Sequence, residues 1–107
     1  MHKSTLLLGK KSLITGGTSG IGREIAKVFV SQGSDVIIFG TKEENAQVTL
    51  ALLEKERISE DQKISSMLVD VSSYEKVAEA FSEIHAKLGP LDILVNNAGI
   101  TKDALLL

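Results

Sequence analysis

Thr15-Gly16-Gly17-Thr18-Ser19-Gly20-Ile21-Gly22 is the stretch on which the reading of the whole chain turns. Ahead of it, Ser12-Leu13-Ile14-Thr15 is a short aliphatic run that reads as a strand. Behind it, Ile21 to Gln32 carries Ile21, Ile25, Val28 and Phe29 at helical spacing, with Gly33 where a helix C-terminus favours glycine. Gly16, Gly20 and Gly22 therefore sit between a strand and an amphipathic helix. Gly16 is expected to take a positive φ in the turn. A missing Cβ at Gly20 lets backbone N–H groups approach a diphosphate, and one missing at Gly22 allows tight helix–strand contact. The helix start adds unpaired N–H groups and about half a positive charge, which suits an anion. The expected ligands of that anion are the loop and first turn: Gly16, Gly17, Thr18, Ser19, Gly20, Ile21 and Gly22.

Outward from this turn, short aliphatic runs alternate with longer helix-period segments. Asp35 to Phe39 reads as a second strand, apolar on both faces. Thr41-Lys42-Glu43-Glu44 has the form of a capping box and predicts a helix running to about Ile58. Ile64 to Val69 is a third strand. Ser72-Ser73-Tyr74-Glu75 repeats the capping-box form before a stripe of Tyr74, Val77, Ala78, Phe81, Ile84 and Leu88. Gly89-Pro90 ends that helix, and Leu91 to Val95 is a fourth strand. The order βαβαβαβ predicts an α/β fold, a Rossmann-type doubly wound parallel sheet of strand order 3-2-1-4. The first two helices then cover one face and the third covers the other. Winding reverses between strands 1 and 4, so a binding crevice is expected at their C-terminal ends. The glycine turn follows strand 1, and Asn96-Asn97-Ala98-Gly99 follows strand 4.

Composition narrows the function classes. With 107 residues there is room for one domain, and 4% aromatic residues leave the core to aliphatic side chains and alanine. A net charge of −2 and no basic stripe argue against a nucleic-acid partner. Without cysteine there is no disulfide, thiolate metal site or cysteine nucleophile. Leu6-Leu7-Leu8 is far too short to span a membrane, so no membrane partner and a cytoplasmic address are expected. His2 and His85 show no metal spacing.

The turn differs from the G-x-G-x-x-G dinucleotide fingerprint. It resembles instead the T-G-x-x-x-G-I-G pattern of short-chain dehydrogenases. Asn96-Asn97-Ala98-Gly99 is similar to that family's N-N-A-G, Asp70-Val71 to its D-V pair, and Leu8-Gly9-Lys10 to its usual entry. The resemblance implies that Asp70 and Val71 hold an adenine and that Asn97, Ala98 and Gly99 lie against the cofactor. The stretch Asn96 to Leu107 is similar to the N-N-A-G-I-T-[RK]-D-x-L-L segment of the 3-oxoacyl-acyl-carrier-protein reductases within the family. On that resemblance, residues 1–107 are the NADP(H)-binding N-terminal portion of a single Rossmann-type domain. Its catalytic portion, with a Y-x-x-x-K pair and its partners, falls beyond the point matching Leu107.

Strand 2 runs into Gly40-Thr41-Lys42 with no carboxylate to repel a 2′-phosphate, which favours NADP(H) over NAD(H). Thr41 is placed to donate to that phosphate, or else simply caps the following helix. Ser19 stands where NADP(H)-preferring relatives often carry a basic residue, and Arg23, a turn into the helix, reads as a surface charge. No catalytic residue is assigned in this chain; Tyr74, the one tyrosine, has Ala78 rather than lysine four residues on and reads as packing. The implied reaction is NADPH-dependent reduction of a 3-oxoacyl group on acyl carrier protein. The implied full-length assembly is a homo-oligomer, a tetramer. Strand 4 would leave an unpaired sheet edge, so the chain alone is expected to behave poorly and to be inactive. Two alternatives stay open: a short-chain dehydrogenase acting on a sugar or alcohol, and a nucleotide-binding fragment without turnover.

Overall fold

The computed structural model describes residues 5–98. Strand β1 spans Lys11–Ile14, helix α1 Gly20–Ser31, β2 Asp35–Gly40, α2 Glu43–Glu56, β3 Ile64–Leu68, α3 Tyr74–Leu88 and β4 Ile93–Val95. The four strands form one parallel sheet in the order β3-β2-β1-β4, as the alternation of elements predicts.

The period of two along β2 divides the core into two layers. Ile37 and Phe39 point to one face, where they join Leu13 of β1 and Val77, Ala80 and Ile84 of α3. Val36 and Ile38 point to the other, joining Ile14 with Ala26 and Val30 of α1 and Leu53 of α2. Burying each valine, leucine, isoleucine or phenylalanine among them is worth about 1.5–3 kcal/mol, which is why the central strand must be apolar on both sides. Helices α1 and α2 thus share one face and α3 holds the other. Phe39 and Phe81 meet edge-on across the α3 layer, ring centroids 6.2 Å apart.

Helix starts depart from expectation. Thr41 lies outside α2: Lys42 occupies the N-cap position and no side chain caps it. The strand runs one residue further than Phe39, because the Val69 N–H still pairs with the Gly40 carbonyl at 2.9 Å. Thr41 is consumed by the turn, and Glu43 and Glu44 in the first turn supply the negative charge that the helix dipole favours. At its other end α2 stops at Glu56, where Arg57 takes an extended ψ of 135°.

In α3 the cap is Ser73, whose hydroxyl accepts from the Lys76 N–H at 3.3 Å. The expected box is therefore one residue out, and Glu75 cannot complete it. Of the expected stripe, Val77 and Ile84 are buried and Phe81 and Leu88 pack against the same core, which Ala80 joins, while Ala78 is exposed. Tyr74, read as packing, is 79% exposed in the first turn, ahead of the first α3 residue that reaches the core. In α1, too, the buried face is Gly22, Ala26 and Val30, whose small side chains seat the helix close to the sheet. Ile21 and Val28 are left exposed.

A candidate dinucleotide site at the mouth of the sheet

Strand β1 ends at Ile14, one residue earlier than its aliphatic run suggests, because Thr15 is used differently. Thr15 is wholly buried. Its backbone N–H donates to the Val95 carbonyl at 3.0 Å. Its hydroxyl oxygen accepts from the N–H groups of Asn97, at 2.8 Å, and Ala98, at 3.1 Å. One hydroxyl therefore fastens the segment after β4 to the end of β1. This brings the two sequence features together at the C-terminal edge, where the strand order reverses.

The glycine turn packs into that corner. Gly16 has φ +63°, and a Cβ there would stand 3.0 Å from the Ala98 Cα and 3.2 Å from the Asn97 carbonyl oxygen. A Cβ on Gly22 would stand 2.6 Å from Asn97 Nδ2 and 2.7 Å from the Gly16 carbonyl carbon. Gly22 thus seats the first turn of α1 against its own loop and against Asn97. Gly17 lies over β2, its N–H on the Phe39 carbonyl at 3.0 Å and its would-be Cβ 2.6 Å from Ile38 Cγ2. Gly20 is the exception: φ is +55° and, its chain neighbours and own helix backbone aside, nothing lies within 4 Å of an added Cβ.

Around Gly20 the loop is open to solvent. Ser19, Gly20 and Ile21 are exposed, and Ser19, the N-cap residue of α1, makes no side-chain capping bond. The first N–H groups of any helix lack an intrahelical acceptor. The first turn of α1 also carries no acidic residue. Uncapped amides, a glycine whose missing Cβ leaves open space and no repelling carboxylate fit a diphosphate, the group expected from the sequence.

Thr18 is buried, and its carbonyl oxygen accepts two hydrogen bonds. One comes from Arg23 Nη2 at 2.7 Å and the other from Thr49 Oγ1 at 2.9 Å. Arg23 Nε in turn donates to Thr49 Oγ1 at 2.9 Å. Arg23 is therefore not the surface charge its position suggested: it is half-buried and ties the glycine turn to α2. Gly40 completes this packing, since a Cβ there would fall 2.5 Å from Thr18 Oγ1. Thr15, Arg23, Gly40 and Thr49 were not among the expected site residues. A threonine directly before the first motif glycine was a usable sign for Thr15, and a glycine ending an apolar run one for Gly40. Thr49, on another helix, carries no sign in the sequence.

Asp70 and Val71 follow β3, at the same C-terminal edge of the sheet. Val71 is half-buried against the α3-face core. Asp70 is exposed, and its Oδ1 accepts from the Ser72 hydroxyl at 2.6 Å and the Ser72 N–H at 3.0 Å. Those bonds, the hydroxyl's first, hold the Asp70 carboxyl below the ordinary aspartate range. A depressed folded value means that the stabilisation is complete above the ordinary value near ~4 and fades as pH falls through the lower folded one. The carboxyl resonance of Asp70 is expected to titrate below that ordinary value, and Ser72→Ala to move its midpoint upward. An unchanged midpoint would show that the Ser72 hydroxyl is not the cause. Thr41 is exposed beyond the end of β2. Gly99 and the 100–107 segment lie outside the described residues.

Among the described residues there is no cluster of histidine, aspartate and glutamate able to hold a metal. No helix among them is long and apolar enough to cross a membrane.

Residues 10–106 match the family described as short chain dehydrogenase. The chain is 40% identical over 104 residues to a 3-oxoacyl-[acyl-carrier-protein] reductase of Chlamydia trachomatis, covering 97% of this chain and 41% of that protein. A reductase of the same name from Aquifex aeolicus is 46% identical over 101 residues, covering 94% of this chain and 40% of the relative. Among solved structures, the C-domain of a bacterial malonyl-CoA reductase with NADP superposes with a TM-score of 0.80 at 31% identity, over 90% of this chain and 16% of that one. The chain thus spans about two fifths of the length of the curated relatives it matches.

Proposed function

The chain belongs to the short-chain dehydrogenase family of oxidoreductases, and on that premise we propose that it is the NADP(H)-holding part of a 3-oxoacyl-[acyl-carrier-protein] reductase. The observation that carries this reading is the meeting of the uncapped glycine turn with the Asn97-Ala98 segment at the switch point of the sheet. The 3-oxoacyl specificity draws on the two similar reductases and on the run from Asn96 to Leu107. The preference for NADP(H) draws on the corner Gly40-Thr41-Lys42, which carries no acid.

In this reading the backbone of Gly16 to Gly22 and the start of α1 bind the diphosphate. Thr41 meets the 2′-phosphate, and Asp70 and Val71 receive the adenine. Asn97, Ala98 and Gly99 flank the nicotinamide end. When bound, a reduced nicotinamide would supply the hydride for the 3-keto carbon. The chain's own residues bind, orient and exclude water, and no proton donor is assigned among them. The enzyme carrying this chain would act as a cytoplasmic homo-oligomer, a tetramer.

Calorimetric titration of the protein with NADPH and NADH tests the cofactor assignment. NADPH is expected to bind more tightly. A tighter NADH value would overturn the NADP(H) reading, and binding of neither would overturn the site. Thr41→Asp should invert the preference. A carboxylate about 4 Å from the 2′-phosphate costs ~1 kcal/mol fully hydrated and ~4 kcal/mol at an effective dielectric of 20. Because position 41 is exposed, an NADPH loss of roughly tenfold is expected, near the hydrated limit. The substrate is tested by NADPH consumption with a 3-oxoacyl-acyl-carrier-protein, against sugars and alcohols, in the enzyme carrying this chain. Turnover of the alcohols alone would redirect the assignment within the family.

A further inference from the structure

The geometry points to Arg23 and Thr49 as positioning residues that aim the Ser19 amide at the diphosphate, by holding the Thr18 carbonyl in the opposite direction. This rests on the dinucleotide reading above and adds to it two residues that touch no part of the expected ligand.

A carbonyl oxygen has two lone pairs, and at Thr18 each has a donor: Arg23 Nη2 at 2.7 Å and Thr49 Oγ1 at 2.9 Å. Arg23 Nε closes the triangle on Thr49 Oγ1 at 2.9 Å, so each donor is itself oriented. Thr49 is wholly buried on α2, and its hydroxyl accepts from Arg23 and donates to Thr18. No cis peptide interrupts the turn. In a planar trans peptide the C=O of one residue and the N–H of the next point in opposite directions. A Thr18 carbonyl drawn toward α2 therefore turns the Ser19 N–H away from it, to the side where Ser19 and Gly20 are exposed.

The side chains around Thr18 remove the alternatives. Gly40 would clash with Thr18 if it bore a Cβ, so Thr18 is wedged between β2 and the α1–α2 seam. Gly20, at φ +55° with open space where a Cβ would stand, does not brace the turn from the other side. Without the two donors the 18–19 peptide would lose both hydrogen bonds that oppose its rotation. Arg23 thus acts through fixed geometry rather than as a point charge. Lysine presents its three donors from a single nitrogen on a flexible stem, without the planar fork that fixes Nη2 on Thr18 and Nε on Thr49.

That difference makes the test. Arg23→Lys, Thr49→Val and Thr49→Ser are titrated with NADPH and with 2′-AMP, which lacks the diphosphate, while thermal stability is followed. Arg23→Lys and Thr49→Val are each expected to weaken NADPH roughly tenfold, about the worth of one aligned hydrogen bond. Both should leave 2′-AMP unchanged, and Thr49→Ser should bind NADPH like the unsubstituted protein. A general loss of stability would weaken both ligands alike. Wild-type NADPH affinity in both Arg23→Lys and Thr49→Val would overturn the proposal. So would a Ser19 amide resonance that stays in place in Thr49→Val, a readout that needs no ligand. Failure of the unsubstituted protein to bind NADPH would overturn the dinucleotide reading and this proposal together, whereas NADPH binding indifferent to Thr49 would overturn this proposal alone.

Discussion

Gly22→Ala is expected to cost about 3 kcal/mol of stability and to lower NADPH affinity more than ~100-fold. The added methyl would lie 2.6 Å from Asn97 Nδ2 and 2.7 Å from the Gly16 carbonyl carbon, with the carbonyl oxygen closer still. Two of those atoms are backbone of the glycine turn and cannot rotate aside. Either the turn or the first turn of α1 must move, and both line the proposed diphosphate site. Gly20→Ala is the control. Beyond its chain neighbours and own helix backbone nothing lies within 4 Å of its Cβ, so the folded state bears only the left-handed backbone at φ +55°, about 1–2 kcal/mol for a residue with a side chain. Its loss should therefore fall on cofactor affinity more than on stability, because the methyl occupies the open space above the amides. Urea denaturation and calorimetry on the two variants separate these effects. Equal stability in both would mean that α1 does not press on its own loop as described.

Thr15→Val should be the other damaging change, and it keeps the branched shape while replacing the hydroxyl by a methyl. The hydroxyl accepts from two backbone amides, Asn97 and Ala98, in a wholly buried position. Leaving a buried donor without a partner costs about 1–3 kcal/mol, so the pair is expected to cost ~3 kcal/mol. The released segment is the one packed on Gly16 and Gly22, so cofactor affinity should fall roughly tenfold with it. Thr15→Ser keeps the acceptor, loses one methyl, and should remain within about 1 kcal/mol of the unsubstituted protein. A valine variant as stable as the serine variant would show that the hydroxyl does not join the two strand ends.

The layers and the sheet order were legible because each rests on a local pattern repeated along the chain. Val36 to Phe39 can be apolar on both faces only in a strand covered on both sides, and that places helices above and below. Right-handed crossovers then leave few orders for four parallel strands. Helix starts were less legible. Thr41 and Ser72 both have capping chemistry, yet each lies one residue outside the actual N-cap, Lys42 and Ser73. Strand pairing through Gly40 and the Ser72–Asp70 bonds compete for the same backbone and decide the boundary. Tyr74 followed the stripe in spacing and still emerged exposed, since spacing tells which side a residue takes but not whether anything covers it.

By itself the sequence determined the parallel sheet, the switch point and the glycine turn, because these depend on hydrophobic period and on where a Cβ is missing, both written residue by residue. Only the tertiary structure decided how the turn is held. Thr15 reaches across 82 positions to Asn97, and Thr49 across 31 to Thr18. A threonine in either place has the same local propensity whether its hydroxyl meets water or a buried amide. The partner comes from another element, and folding alone brings it within 3 Å.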